Sequence, residues 1–334
     1  MMLLYFMKSI TPMTMLATIM MVIGTLLAMS GPNWITIWIG LEINMFGFIP
    51  FMSKSTFSKN CEAMAKYLLI QLAASMIMLY MGYYMTLLNN MNSYAYTMLI
   101  FAFMMKLGAF PAHYWFPSIM QSCDWFGSLL LATWQKIAPA MVLIYNVKPN
   151  LELLTMMIII NTGLIGTLGS NQTDIKTIMA YSSVVHMGWF LVPFMYQESY
   201  LSLYYLIMYM LMTTPIFILM FIYSYNNPKS TSNLMTMNTN MKFSLMLMIL
   251  SLAGLPPLSG FIPKLMILYL LSKFSPSLLI ILVIFTCISL YFYLVLSFNV
   301  FLSSFKSMYN LKLDKYIMIS IIISVAFTPL MILN

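Results

Sequence analysis

Residues 104–113 read Met104-Met105-Lys106-Leu107-Gly108-Ala109-Phe110-Pro111-Ala112-His113, in the middle of an apolar run that covers 94–120. A run of that length exceeds the roughly 20 residues that a helix needs to cross a hydrocarbon core. Lys106 lies about ten residues from either end, or ~15 Å along a helix, too deep for its ammonium to snorkel to the interface. Pro111 removes one helical hydrogen bond and clashes with the carbonyl four residues back. A break at membrane depth survives only where protein or water satisfies the freed groups. The same signature returns in the run 241–273, as Leu252-Ala253-Gly254-Leu255-Pro256-Pro257. Gly254, Pro257 and Pro263 repeat the spacing of Gly108, Pro111 and Pro117, and Lys264 stands beside the second break.

The rest of the chain is built of similar runs. Of 334 residues, 62% are hydrophobic and 7% charged, against roughly 25% charged in an average soluble domain. That is too little polar surface for a water-facing protein of this size, so soluble and disordered readings are excluded. Eleven apolar segments are expected, over 3–29, 33–52, 61–88, 94–120, 125–146, 151–169, 174–194, 200–225, 241–273, 276–302 and 316–333. The gaps between them carry turn residues and are too short for a soluble domain. The fold expected is an all-α polytopic membrane protein of about eleven transmembrane helices.

The net charge of +8 comes from lysines alone; there is no arginine. These lysines are spread through short gaps rather than gathered on one solvated face, so a nucleic-acid partner is not indicated. With the N-terminus on side A, that side holds Lys8, Lys54, Lys59, Lys66, Lys176, Lys229, Lys242, Lys306, Lys312 and Lys315, while side B holds Lys148 and Lys273. The positive-inside rule makes side A cytoplasmic or matrix, and an odd helix count puts the C-terminus outside. Cys61, Cys123 and Cys287 are far apart and form no CxxC, so no disulfide framework, zinc site or iron–sulfur site is indicated. The absence of Arg and the 39 methionines follow an AT-rich codon bias, which suggests an organellar gene with a second Met codon. Met also fills irregular gaps in helical cores.

Four charges fit no gap: Glu42 in Gly40-Leu41-Glu42-Ile43-Asn44, Lys106, Lys136 in Trp134-Gln135-Lys136-Ile137-Ala138-Pro139, and Lys264. Each costs at least ~2.5–3.5 kcal/mol at bilayer mid-depth on insertion scales. Snorkelling accounts for Lys66 and Lys273 near segment ends, but not for Lys106 and Lys136. A desolvated Lys can release its proton near neutral pH, whereas Arg effectively cannot. Buried lysines with one carboxylate therefore suit a proton relay better than an anion site. Two histidines are secondary candidates. His113 follows Lys106 by seven residues, so an unbroken helix would place both on one face. His186 sits beside Ser182 and Ser183, which can hold water. Two distant histidines with no nearby carboxylate make a poor metal site.

The paired breaks stand five segments apart, so five-helix units would face opposite ways, as in transporters with inverted repeats. The expected organisation is a first repeat over 1–147, a second over 148–302, each with one broken helix, and a C-terminal helix over 303–334.

The five motifs that carry these residues occur in a familiar order: Gly40 to Asn44, Lys106 to His113, Trp134 to Pro139, Ser183-Val184-Val185-His186-Met187-Gly188-Trp189, and Leu252 to Pro257. Together they resemble the antiporter-like membrane subunits of respiratory complex I, in their mitochondrial animal and arthropod form. The resemblance covers essentially the whole chain, and eleven helices suit the animal form, which lacks three N-terminal helices of its bacterial counterpart. It implies proton translocation across the inner mitochondrial membrane, coupled to NADH-to-ubiquinone electron transfer in other subunits. By matching motifs, Glu42 would pair with Lys106 on the matrix side, Lys136 would continue a central polar axis, Lys264 would lie toward the exit, and His186 would organise water. The chain itself would bind no cofactor or metal; the whole complex would use FMN, iron–sulfur clusters, NADH and ubiquinone. Its partners would be a neighbouring antiporter-like chain, a small subunit of the chain 4L type, accessory subunits and lipids such as cardiolipin. The N-terminus would face the matrix and the C-terminus the intermembrane space. A stand-alone cation/proton antiporter is the alternative, although a cation site would call for more buried carboxylates than Glu42. A scaffold with a silent relay is disfavoured by the persistence of all four buried charges.

Overall fold

A computed structural model describes residues 12–52, 58–88, 93–172, 174–226 and 239–302. Within them the regular structure is helical, as it must be where no water is present to satisfy backbone groups. The helices are α1 (Pro12–Ser30), α2 (Trp34–Met52), α3 (Ser58–Leu88), α4 (Ser93–Leu107), α5 (Trp115–Ser122), α6 (Trp125–Ala132), α7 (Trp134–Asn146), α8 (Leu151–Ile159), α9 (Ile165–Ser170), α10 (Ile175–Met195), α11 (Ser199–Asn226), α12 (Thr239–Ala253), α13 (Phe261–Phe274) and α14 (Pro276–Leu302), with a π-turn over Ile160–Leu164. Eight helical spans among the described residues are long and apolar enough to cross a membrane, and the shorter apolar helices are Ser93–Leu107 and Asn240–Ala253. The expected segment 316–333 lies outside the described residues, as does the start of the first.

Both expected breaks are present. α4 stops at Leu107 and α12 at Ala253, and the next residue but none in each case is a glycine in the left-handed region: Gly108 at φ 71° and Gly254 at φ 84°. A glycine just past a helix end is the residue that can adopt this conformation without a Cβ penalty. Two further irregularities were not anticipated. The run 125–146 is interrupted at Thr133, whose hydroxyl bonds the Leu129 carbonyl at 2.7 Å, a back-bond of the kind that bends helices. The run 151–169 contains the π-turn, where the Thr162 hydroxyl takes the Ile158 carbonyl at 2.7 Å.

The chain divides into two compact units, 1–153 and 154–334. In the first, α1 and α2 form a tight antiparallel pair. A Cβ on Gly24 would stand 2.5 Å from the Asn44 backbone nitrogen and 2.8 Å from the Gly40 carbonyl, and one on Gly47 would stand 2.8 Å from the Met21 nitrogen. Small residues let membrane helices approach this closely, where van der Waals contact replaces the hydrophobic drive. α3 packs on α2, α4 and α5, and α7 packs on α1, α2, α4 and α6. In the second unit α10 is central, buried at every residue from Ser182 to Met195. It contacts α9, the π-turn, α11 and α13, while α14 packs on α9, α12 and α13.

Candidate functional site

All four charged residues singled out from the sequence are buried: Glu42 and Lys264 are 7% exposed, Lys106 6% and Lys136 2%. In the first unit, α2 supplies Glu42, the end of α4 supplies Lys106, and the first turn of α7 supplies Lys136. Lys106 and Lys136 line one cavity together with Asn44, Tyr67, Gln71 and Gln135. The space open to the centre of a water-sized sphere is ≈ 10 Å³, about the room that one water molecule needs.

The break in α4 shapes this cavity. It frees carbonyls at the end of the helix, and side chains take them up: Trp115 Nε1 donates to Met105 at 3.2 Å and Gln71 Nε2 to Lys106 at 3.3 Å. Gly108 lets the Phe116 ring come close, since a Cβ there would stand 2.8 Å from Cδ2. That ring lies 4.8 Å from the Lys136 ammonium, within the reach of a cation–π attraction. Gln135, beside Lys136, joins three helices. Its amide donates to Asn44 Oδ1 at 3.2 Å, and its carbonyl accepts from the Tyr67 hydroxyl at 3.5 Å.

Glu42 acts electrostatically on Lys106 and on Tyr67, but it does not touch Lys106 as a contact ion pair. A contact ion pair joins Lys66 to Glu62 at 2.5 Å on an exposed surface. Glu42 Oε1 is buried with no protein hydrogen-bond partner. His113 departs from the expected alignment with Lys106. The helix ends at Leu107, so seven residues no longer bring the two onto one face. His113 instead lies in the break, its ring 3.9 Å from that of Tyr114 and 6.5 Å from that of Phe110.

In the second unit Lys264 occupies the first turn of α13 and reaches back across the break to donate to the Ala253 carbonyl at 2.7 Å. A cation at that place meets the negative end of the α12 dipole. Its ammonium also lies 5.9 Å from the Trp189 ring. His186 lies three residues before Trp189 on α10. Its Nδ1 is 2.8 Å from the Tyr205 hydroxyl, and its ring is 5.2 Å from that of Tyr209. These tyrosines escape a sequence reading because 22 tyrosines are scattered along the chain. Gln135 and Asn44, by contrast, stand inside quoted motifs, next to Lys136 and two residues after Glu42. Lys242, expected at the side-A end of the segment 241–273, is 3% exposed, in the first turns of α12, and interacts with Tyr223 of α11.

Each unit thus holds a buried lysine at a broken helix. The family model for NADH:quinone oxidoreductase/Mrp antiporter transmembrane proteins matches residues 31–289. The chain belongs to this family. NADH-ubiquinone oxidoreductase chain 2 of Anopheles gambiae is 39% identical over 303 residues, 86% of each protein. The protein of the same name from Lumbricus terrestris is 35% identical over 305 residues, 90% of each. Among solved structures, a chain of respiratory complex I from Thermus thermophilus gives a TM-score of 0.76 at 21% identity, covering 86% of this chain and 70% of that one. A chain of the Mrp complex from a Dietzia species gives 0.74 at 16% identity, covering 83% and 58%. At these identities the two structures show a shared fold.

Proposed function

We propose that this chain is an antiporter-like membrane subunit of respiratory complex I, and that it moves protons across the inner mitochondrial membrane through Glu42, Lys106, Lys136, His186 and Lys264. The observation that carries the reading is the one-water cavity shared by Lys106 and Lys136. Two ammonium groups on one small cavity repel each other, so a proton gained by one favours its loss from the other. A water between them is the bridge over which it passes. Glu42, in electrostatic reach of Lys106, biases which state Lys106 holds. His113 has no place in the axis through Lys106 and Lys136 and enters the proposal only as a group of the break.

The coupling to electron transfer lies in neighbouring subunits, which hold the flavin, iron–sulfur clusters and quinone; this chain contributes charge movement alone. The lysine distribution supports an N-terminus that faces the matrix. The membrane-arm neighbours and cardiolipin belong to the same proposal. The match to the family that also includes Mrp antiporters keeps one second reading, a stand-alone cation/proton antiporter, which would transport when purified alone into liposomes.

The test is Lys106→Met in mitochondria. The complex is expected to assemble, with proton uptake and coupled NADH oxidation mostly lost. Normal coupled turnover in the assembled variant removes Lys106 from the relay and with it this reading.

A further inference from the structure

The second unit gathers three phenols, two of them against its one imidazole. His186 and its neighbours Ser182 and Ser183 come from α10, Tyr205 and Tyr209 from α11, and Tyr293 from α14; all six are buried. The hydrogen bonds among them have a fixed polarity. The Ser182 hydroxyl donates to the Met179 carbonyl and the Ser183 hydroxyl to the Ala180 carbonyl, each at 2.7 Å. Both serine oxygens are thereby left to accept. Tyr209 bonds to Ser183, so the phenol is the donor. Tyr293 faces Ser182, but its hydroxyl is buried without a protein hydrogen-bond partner. Buried polar atoms in that position are normally satisfied by an ordered water. Tyr205 differs from the other two phenols, because its partner His186 Nδ1 can both accept and donate.

We infer that Tyr205, Tyr209 and Tyr293 form the hydroxyl relay of the second unit, with Tyr205 as the positioning residue that sets the tautomer of His186. The inference rests on the proton-translocation reading and extends it to residues outside the lysine axis. While His186 is neutral, the Tyr205 hydroxyl donates to Nδ1 and the ring proton sits on Nε2. When His186 gains a proton, both nitrogens donate, and the Tyr205 hydroxyl must turn to accept. Which ring nitrogen is protonated is set by the bond the other one makes. The hydroxyl turns once as Nδ1 gains a proton and turns back as Nδ1 releases it, so each proton that passes leaves the site as it was, and no bond to carbon forms or breaks. The groups that face His186 from the packed elements are Tyr205 and Tyr209 of α11, and Tyr293 of α14 stands by those two phenols. A cation on the same helix bundle is Lys264 of α13, against the Trp189 ring one turn along α10. The cluster carries no formal charge of its own, so His186 is the member whose charge changes.

The test uses the whole complex in mitochondrial membrane vesicles. Tyr205→Phe removes one hydroxyl and keeps the ring. Assembly on native gels and the KM for ubiquinone are expected to stay at wild-type values. Proton uptake and kcat are expected to fall roughly ten-fold, a part of the ~10²–10⁴ that a positioned acid–base group contributes, with a larger solvent deuterium isotope effect. A purely structural tyrosine would move none of these at constant assembly. If Tyr205→Phe does not assemble, Tyr293→Phe decides: its hydroxyl holds no protein bond, so the fold tolerates its loss, and a fall in proton uptake supports the relay. Wild-type proton uptake in either assembled variant overturns the proposal. Lys106→Met measured alongside separates the two readings. If it alone stops pumping, the phenol relay fails and the lysine relay stands; if it pumps normally, the lysine relay has failed.

Discussion

Replacing Gly254 by Ala tests whether the break in the second unit serves to seat Lys264. Gly254 has φ 84°, a region that a side chain enters at a cost of roughly 1–2 kcal/mol. The added Cβ would stand 3.0 Å from Lys264 Cδ and 3.1 Å from Nζ. Lys264 would have to shift by a few tenths of an ångström, which strains the bond from its ammonium to the Ala253 carbonyl, 2.7 Å away. A hydrogen bond to a charged group contributes about 1.5–3 kcal/mol. With that bond lost outright the two costs come to about 2.5–5 kcal/mol, the ceiling for this substitution. Gly166→Ala is the control: its Cβ would meet only Val185 Cγ2 at 3.5 Å, and inside a helix Ala is favoured over Gly by up to about 1 kcal/mol. The assay is the level of assembled complex on native gels and the midpoint of thermal inactivation of NADH–ubiquinone turnover. Gly254→Ala should lower both, and Gly166→Ala neither. Added to Lys264→Ala, which removes Cδ and Nζ together, Gly254→Ala should cost little beyond its backbone part, about 1–2 kcal/mol. Indistinguishable behaviour of the two glycine variants, or full additivity of Gly254→Ala with Lys264→Ala in the level of assembled complex, would refute the reasoning.

Glu42→Gln should reduce both assembly and proton uptake, and adding Lys106→Met should restore part of the assembly but no uptake. The coupling should fall below the ~3–5 kcal/mol of a contact pair, since the two groups do not touch; strictly additive losses on native gels would show them uncoupled. Gly40→Val should prevent assembly, because its Cβ would meet the Ala28 backbone, with Cα at 2.8 Å, and the α1–α2 pair would have to part. Gly127→Ala, whose nearest neighbour would be Cys123 Cβ at 3.5 Å, should assemble normally, and equal assembly of the two would count against the close seam.

Much of this protein is legible in one dimension because the bilayer is a demanding solvent. A run over 151–169 or 174–194 with so few charges is read as a helix in lipid from its length alone. A charge in such a run is costly wherever it points, which is why Glu42, Lys106, Lys136 and Lys264 stand out without coordinates. Gly108 and Pro111 announce a break for the same reason: their effect is on their own backbone. The bends at Thr133 and at Thr162 were not legible, because a threonine hydroxyl turns to a carbonyl or to a neighbour according to what packs around it. Lys242 stands at the end of its segment in the sequence, where a lysine is expected to reach water, yet it is buried beside α11. Nothing in the chain singles out Tyr205, Tyr209 and Tyr293 among 22 tyrosines, or links Gln71 to the carbonyl of Lys106. Those are contacts between residues tens of positions apart, and side-chain hydrogen bonds of that kind arise from the meeting of helices, not from the composition of any one of them. Insertion cost and local backbone chemistry are properties of the sequence itself; which partner each buried polar group finds is a property of the packed bundle.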